Sequence, residues 1–276
     1  MYLSGPIFNF NHDPDQWILA HRQAGYAIAC GLPCGADDPA LPAFVAAANK
    51  AKLAIAEVGA WSNPMATDPA ERAKALAHCT AQLALAERVG ARYCVNIAGS
   101  RGKKWDGPHP DNLSPDTFAL IVETTRKIID AAAPTRTFYT LETMPWVFPE
   151  SPDNYLALIR AIDRKHFAVH LDPVNMINCP QRMYHTGSFI RECFAKLGPW
   201  LKGCHAKDIK YSDHLTLHLD ECLPGTGVLD YAVFLTELAK LDPATPLCLE
   251  HLSKPEEYAA AAAHIRQVAA QVGVTV

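Results

Sequence analysis

Eight short apolar runs alternate with longer helical patterns along the chain, and this alternation restricts the possible folds more than any other sequence feature. The apolar runs lie near residues 2–8, 26–30, 52–58, 92–97, 136–142, 166–172, 200–206 and 246–250. Helical patterns lie between and after them, near 15–24, 39–49, 69–89, 115–133, 152–163, 186–197, 229–240 and beyond 255. Strands that alternate with helices in this way predict a parallel sheet covered by helices.

Eight strand–helix units in 276 residues fit a closed (β/α)₈ barrel, for which a length of about 250 residues is usual. We expect an α/β TIM barrel that forms a single domain over residues 1–276. An open doubly wound sheet is the alternative, but the usual G-x-G-x-x-G signature does not follow the first apolar run. The nearest glycine-rich segment, Pro224–Gly227, by itself is typical of a turn.

Composition argues against several classes of protein. The chain has 25 Lys and Arg against 29 Asp and Glu and no long basic run, so no electrostatic footprint for nucleic acid is visible. Neither a signal peptide nor a transmembrane segment is visible, so we expect no membrane association and a cytoplasmic location. The nine scattered cysteines show no disulfide framework, and we expect them to be reduced and mostly buried.

Four apolar runs end in a side chain that can bind a metal ion: Glu142, Asp172, His205 and Glu250. A carboxylate at the end of a buried strand is costly unless a cation or hydrogen bonds compensate it, although one such residue alone is also typical of a helix N-cap. The carboxyl ends of barrel strands lie on one face, where these side chains would converge. Three carboxylates and one imidazole favour Mn²⁺, Mg²⁺ or Co²⁺, and Zn²⁺ remains an alternative.

Other polar and aromatic residues near the strand ends are candidates for substrate binding. They are Asn175, Lys207, His170, Trp146, Glu57, Trp61 and His185. The two tryptophans could form apolar walls against a sugar, and His185, with Arg182, could bind a charged group. The competing interpretations are core packing for His170 and the tryptophans, and a surface position for Lys207 and His185.

Two connections are longer than usual for a barrel, at residues 98–113 and 207–227, and the second contains a strand-like piece, Leu215–Leu219. Both follow a strand and precede a helix, which places them on the catalytic face of a barrel. Loops of this length are usually functional, for example as lids.

Five motifs together resemble the xylose isomerase-like TIM barrel superfamily, which includes sugar phosphate isomerases and epimerases, ketose 3-epimerases, inosose dehydratases and endonuclease IV-type enzymes. They are Leu141-Glu142, His170–Asn175, His205–Asp208, Pro224–Asp230 and Leu249-Glu250. The resemblance implies one divalent metal ion, with Mn²⁺ favoured, bound by Glu142, Asp172, His205 and Glu250. It also implies that the two glutamates exchange the substrate proton. Asn175 replaces a histidine usual in the epimerases, and Lys207-Asp208 is more similar to the inosose dehydratases.

The resemblance therefore implies an isomerase or epimerase that transfers an α-proton through an enediolate on a ketose or keto sugar. The alternative is a dehydratase or lyase that acts on an inosose-like or 3-keto sugar. A DNA-repair endonuclease would need more histidine ligands and a basic groove, and a non-catalytic sugar-binding barrel would not need three carboxylates around one metal ion. The expected partner is a small-molecule sugar or keto-cyclitol, and the sequence leaves homo-oligomer formation open.

Overall fold

A computed structural model describes all residues, 1–276, and contains eleven strands. The strands are β1 (Tyr2–Ser4), β2 (Ile28–Ala29), β3 (Ala54–Ile55), β4 (Glu57–Gly59), β5 (Tyr93–Asn96), β6 (Phe138–Glu142), β7 (Phe167–Leu171), β8 (Leu201–Ala206), β9 (Asp208–Ser212), β10 (His218–Cys222) and β11 (Pro246–Leu249). The helices are α1 (Pro14–Ala24), α2 (Leu41–Ala51), α3 (Pro69–Val89), α4 (Pro115–Ala132), α5 (Pro152–Ile162), α6 (Pro173–Met176), α7 (Pro180–Tyr184), α8 (Thr186–Leu197), α9 (Tyr231–Leu238) and α10 (Pro255–Val272).

The parallel strands curl into an eight-membered barrel, which confirms the predicted α/β TIM barrel. Seven of them form one sheet in the order β1-β11-β8-β7-β6-β5-β4, and β2 pairs with β3. The β3 and β4 segments act as one strand, because the amide of Ala56 between them donates to the carbonyl of Ala29 at 2.8 Å. Between β1 and β2 there is no backbone ladder; the Ser4 hydroxyl donates to the Ile28 carbonyl at 2.7 Å.

Three helices start where a polar residue followed by proline predicted a helix start. Asp68, Ser114 and Ser151 cap α3, α4 and α5 with their side chains, and a proline occupies the first turn of each helix. The predicted helices agree with the observed ones to within two residues at each end. The first predicted strand is too long: it ends at Ser4, and Pro6 soon afterwards has no amide to continue a ladder.

The loop after β8 departs most from prediction. An antiparallel hairpin of β9 and β10 replaces the single strand-like piece predicted at Leu215–Leu219. Short helices α6 and α7 fill the segment that precedes the predicted helix at 186–197. No cysteine forms a disulfide, and no helix is both long and apolar enough to cross a membrane.

Candidate metal centre

The four predicted ligands meet at the carboxyl end of the barrel. Glu142, Asp172, His205 and Glu250 each offer one ligand atom, and these atoms all lie within 4.8 Å of one another. His205 Nδ1 is 3.1 Å from Glu142 Oε1 and 2.9 Å from Glu250 Oε2. Glu142, Asp172 and His205 are buried, and Glu250 is partly exposed to the cavity above.

Asp172 caps a helix and also faces the other three candidate ligands, two positions that the sequence presented as alternatives. Its Oδ1 accepts hydrogen bonds from the amides of Val174 at 2.9 Å and Asn175 at 3.2 Å, and so caps α6. The cap holds the carboxylate in one orientation, in which Oδ2 faces the other ligands. The hydroxyl of Thr143 donates to the Asp172 carbonyl at 2.6 Å and connects the end of β7 to the end of β6.

A buried lysine contacts the same carboxylates. Lys207 Nζ lies 2.9 Å from Asp172 Oδ2, 3.0 Å from Glu250 Oε2 and 3.6 Å from Glu142 Oε1. Burial opposes its charge, but Asp172 and the glutamates outweigh burial and raise the pKa of Lys207 well above its usual value. The ammonium group therefore compensates part of the negative charge at this point.

The donor set fits a divalent cation. Asp172 Oδ2 and Glu250 Oε2 are buried but lack a directed hydrogen bond, because the Lys207 contacts have the distance of an ion pair without the geometry of a hydrogen bond. Buried carboxylate oxygens without donors are rare in proteins unless an ion or water satisfies them. Oxygen-rich donors with one imidazole suit Mg²⁺ or Mn²⁺. Glu142, Asp172, His205 and Glu250 would hold the ion.

Glu57 lies behind His205 and is not among the residues that line the adjacent cavity, so the structure does not place it in contact with a substrate there, whereas the sequence predicted such a contact. Its Oε2 accepts from the Tyr93 hydroxyl at 2.9 Å and lies 3.7 Å from His205 Nε2. A carboxylate on the far nitrogen of a metal-binding histidine commonly fixes the ring orientation and tautomer.

His170 points into the barrel, as its spacing from Asp172 predicts. Its ring packs against those of His205 and Tyr93, at centroid distances of 4.1 Å and 5.2 Å. Neither ring nitrogen has a hydrogen-bond partner in the protein. Burial, together with the charge of His205, lowers the pKa of His170 well below its usual value, so this ring is neutral. Its contacts are those of a packing residue beneath the ligands.

Burial and the charges of neighbouring residues shift the pKa values of three of the candidate ligands. Burial raises the pKa of Glu142, against the opposing charge of His205. Burial acts in the same direction on Glu250, but there the charge of His205, together with that of Lys207, prevails and holds the pKa well below the usual value. His205 is itself disfavoured as a cation by burial, yet Glu250 and Glu142 raise its pKa well above 6.5.

A cavity of about 420 Å³ opens above the ligands and contains three of the predicted substrate-binding residues. Asn175, Trp146 and Trp61 line it together with Glu142 and Glu250. The Asn175 amide donates to Glu142 Oε1 and to the Thr143 carbonyl, both at 3.0 Å. His185 is exposed, is not among the lining residues and lies at the start of α8. Arg182 also lies outside this cavity, because its guanidinium donates to backbone carbonyls, including that of Met176 at 2.7 Å.

The family model described as "Xylose isomerase-like TIM barrel" matches residues 31–268. The chain belongs to this family. No protein with a curated description matches it.

Solved structures share the fold at low sequence identity. A xylose isomerase-like TIM barrel protein from Mycobacterium smegmatis, in complex with magnesium, is 19% identical, with 94% of this chain and 90% of that chain covered and a TM-score of 0.67. D-Psicose 3-epimerase from Clostridium cellulolyticum H10, with D-tagatose, is 15% identical over all of both chains (TM-score 0.70). The probable 3-DHS dehydratase involved in petrobactin synthesis from Bacillus anthracis is also 15% identical, with 96% and 97% coverage and a TM-score of 0.70.

Glu221 on β10 and His251 after β11 line the cavity beside the candidate ligands and were not identified from the sequence. Glu221 Oε1 lies 3.4 Å from Lys207 Nζ, and its Oε2 lies 2.9 Å from His251 Nδ1. The unusual length of the connection at 207–227 was the only sequence signal that this segment reaches the site. The structure shows that the segment forms a hairpin, and that the hairpin brings β10 back over the candidate ligands. His251 directly follows Glu250, and its φ of 58° places it in the left-handed region.

The motif residue Asp208 shapes the loop instead of lining the cavity. Its carboxylate is buried and accepts from the amides of Gly225 at 2.9 Å, Gly227 at 3.0 Å and Leu229 at 2.9 Å. A side chain at Gly227 would place its Cβ 2.3 Å from Asp208 Oδ1, so only glycine fits. Asp208 and the Pro224–Gly227 segment, which resemble family motifs, therefore act together to hold the shape of this loop.

Proposed function

We propose that this protein is a metal-dependent sugar isomerase or epimerase that moves a proton next to the carbonyl group of a ketose or keto sugar. The observation that carries the proposal is the position of Glu142 and Glu250. Both belong to the four-ligand cluster, and both line the cavity above it. A substrate in the cavity would therefore meet two carboxylates of one centre. Mn²⁺ is the proposed ion.

The two glutamates approach this centre from different sides of the barrel. Glu142 ends β6 and Glu250 follows β11, and strands β7 and β8 lie between them in the sheet. A bound divalent cation would stabilise the enediolate that forms when the α-proton leaves. One glutamate acts as the general base, and the other returns the proton. Return to the opposite face of the same carbon inverts that centre, and return to the neighbouring carbon isomerises the sugar.

Neighbouring residues orient the reacting groups. Asn175 donates to Glu142 Oε1 at 3.0 Å and keeps one oxygen of the carboxylate fixed. Lys207 places an ammonium group beside Glu142 and Glu250, where it stabilises the charged forms of both carboxylates. Trp61 and Trp146 provide apolar walls for the sugar and exclude water from part of the cavity. Asn175 and the two tryptophans are therefore our proposed substrate-binding residues, whereas Lys207, which is buried and does not line the cavity, is proposed as a positioning residue.

Elimination is the second candidate, with an inosose-like or 3-keto sugar as the substrate. The first step would be the same proton abstraction, followed by loss of a β-hydroxyl group as water. His251 favours this alternative, because it lines the cavity beside Glu250 and its Nδ1 contacts Glu221 at 2.9 Å. An imidazole in this position could donate a proton to the departing hydroxyl oxygen.

Proton exchange tests both candidates directly. The Mn²⁺-loaded protein is incubated in deuterated water with a panel of keto sugars and inososes, and deuterium entry at the α-carbon is followed by NMR. Isomerisation or epimerisation predicts label together with a new stereoisomer or positional isomer. A product that has lost water, without any such isomer, would replace the first candidate with the second. Absence of both exchange and product across the panel would reject both.

The Glu250→Gln substitution tests the catalytic role of a ligand. Glutamine keeps the size and one oxygen ligand but is a negligible base, so turnover should fall by about 10²–10⁴-fold even at full metal occupancy. Occupancy is confirmed by elemental analysis before turnover is measured. Glu256→Gln, in the exposed first turn of α10, is the matched control. Near wild-type turnover of the metal-saturated Glu250→Gln variant would contradict a role as base and leave Glu142 as the remaining candidate.

A further inference from the structure

A second and larger cavity adjoins the one above the ligands. It measures about 990 Å³ and shares Trp61 and Trp105 with its neighbour. Its walls come from the loop after β4, from α3 and from the loop after β5. Both loops follow barrel strands, so the cavity opens on the same face as the candidate metal centre.

Cationic side chains dominate the charge of this second cavity, which we call the basic cavity. Lys74, Arg101 and Lys103 line it, with His78 and His109 beside them, and Glu71 is the only acidic lining residue. None of the three permanent cations forms an ion pair with a carboxylate, whereas the neighbouring Lys104 pairs with Asp106 at 3.1 Å. The whole chain carries a net charge of -4, so this concentration of unpaired positive charge is a local feature.

The cavity above the ligands has the opposite polarity. Asp106, Glu142, Glu221 and Glu250 line it, and His251 is its one basic lining residue. A ligand that passes between the two tryptophans and occupies both cavities would therefore place its polyhydroxylated end at the metal centre and a negatively charged end among the lysines. Complementary charge of this kind favours one orientation of a ligand and disfavours the reverse.

The walls of the basic cavity are ordered before any ligand binds. The Asn63 amide donates to the Ser100 carbonyl at 2.8 Å and its oxygen accepts from the Ser100 amide at 3.0 Å, which joins the two loops. Gly99, at a φ of 99°, permits this approach, since a Cβ there would lie 2.2 Å from Asn63 Oδ1. Arg101 Nη1 donates to the Met65 carbonyl at 2.8 Å. Binding would thus require little ordering of the two loops.

We propose that the basic cavity binds an anionic group of the substrate, so that the substrate is a keto sugar with a phosphate or carboxylate group remote from its carbonyl. This inference rests on the proposed function for the position of the sugar end. Lys74 and Lys103 attract the anion, and Arg101 supplies guanidinium donors that are suited to oxyanions. Trp61 and Trp105 form the passage between the two subsites.

The test is a binding titration with matched ligands. Trp61 and Trp105 line the cavity, so intrinsic tryptophan fluorescence provides a signal for titrations with inorganic phosphate, a neutral ketose, its terminal phosphate ester and the corresponding keto-uronate. The wild-type protein should bind the phosphate ester or the uronate more tightly than the neutral ketose, and the tighter of the two identifies the group. Binding of the charged ligand should weaken as salt concentration rises.

The variant Lys74→Ala/Lys103→Ala should bind inorganic phosphate and the charged sugar about tenfold more weakly, with binding of the neutral ketose unchanged. Both lysines are exposed, so the fold should tolerate the substitutions. Lys104→Ala is the control, because this lysine is adjacent but does not line the cavity. A charged ligand that binds no more tightly than the neutral ketose would overturn the inference, as would equal weakening by the control.

The outcomes separate this inference from the proposed function. Proton exchange on neutral keto sugars without preference for an anionic ligand would refute the basic subsite and leave the proposed reaction intact. Lysine-dependent anion binding without proton exchange on any keto sugar would refute the proposed reaction and retain the basic cavity as an anion site.

Discussion

Replacement of Lys207 by methionine should destabilise the metal-free protein strongly and the metal-loaded protein much less. Methionine keeps most of the side-chain volume but removes the ammonium group that lies 2.9 Å from Asp172 Oδ2 and 3.0 Å from Glu250 Oε2. Without it, three carboxylates remain close together, with His205 as the only adjoining cation among the four ligands. A divalent ion would restore the missing positive charge.

The size of the effect follows from the spacing of the ligands. Charges within 4.8 Å of one another repel by about 3.5 kcal/mol per pair at an effective dielectric constant of about 20. Partial protonation of the glutamates relieves some of this repulsion. Removal of one partner from a buried ion pair typically costs about 3–5 kcal/mol. At about 2–4 °C per kcal/mol for a large single domain, that corresponds to a decrease in Tm of about 6–20 °C.

Thermal unfolding of the wild-type and variant proteins measures this effect, with chelator and then with saturating Mn²⁺. Lys210→Met is the matched control, because Lys210 is exposed on β9 and forms no ion pair, so its replacement should change stability by less than about 0.5 kcal/mol. An equal decrease in Tm with and without metal would show that Lys207 stabilises by packing and not by charge. A metal-free variant as stable as the wild type would refute the electrostatic argument altogether.

Two further results are expected. Removal of metal from the loaded wild-type protein should lower its Tm by about 5–10 °C if the ion is present at about 100 times its Kd; an unchanged Tm after verified removal would count against the site. Glu87→Gln should cost about 1 kcal/mol at neutral pH, because Glu87 accepts from Thr135 Oγ1 and from the amides of Arg136 and Thr137. Burial opposes its charge, but these bonds lower the pKa of Glu87 from 4.5 to about 2. The wild type should therefore exceed the variant in free energy of unfolding by the full amount above pH 4.5, and this difference should disappear as the pH falls through about 2. Urea titrations across that range measure it, and an advantage independent of pH would contradict the assignment.

The sequence was most informative where local chemistry and fold point to the same result. Proline after a capping residue located the starts of α3, α4 and α5, since these signals act within one helical turn. A charged side chain at the end of an apolar run is unusual enough to identify Glu142 and Asp172 as candidates, and barrel topology brings the ends together. The structure thus places the four predicted ligands within reach of one point.

Features that depend on long-range contacts could not be predicted in this way. The position of Glu57 behind His205 depends on the orientation of both side chains. His205 is near the end of β8 as expected, but Glu57 begins β4, whereas the sequence suggested that it lies at the end of its strand. Glu221 reaches the cavity only because β9 and β10 form a hairpin, and a polar stretch in the sequence does not distinguish a hairpin from an irregular loop. Lysine side chains are usually exposed, so nothing in the sequence indicated that Lys207 would be buried. Its burial is explained only by the cluster of carboxylates that surrounds it in three dimensions.

The hydrogen bond from Trp146 Nε1 to the Asp106 carbonyl, at 2.8 Å, joins two loops that line the cavity above the ligands. A neutral hydrogen bond of this kind contributes about 1 kcal/mol, equivalent to about a fivefold preference for the joined arrangement. Thermal motion of surface loops on the nanosecond to microsecond scale breaks such a bond readily. This single bond is too weak to hold the two loops together for long, so we expect a bound sugar to be retained mainly by its contacts deeper in the barrel.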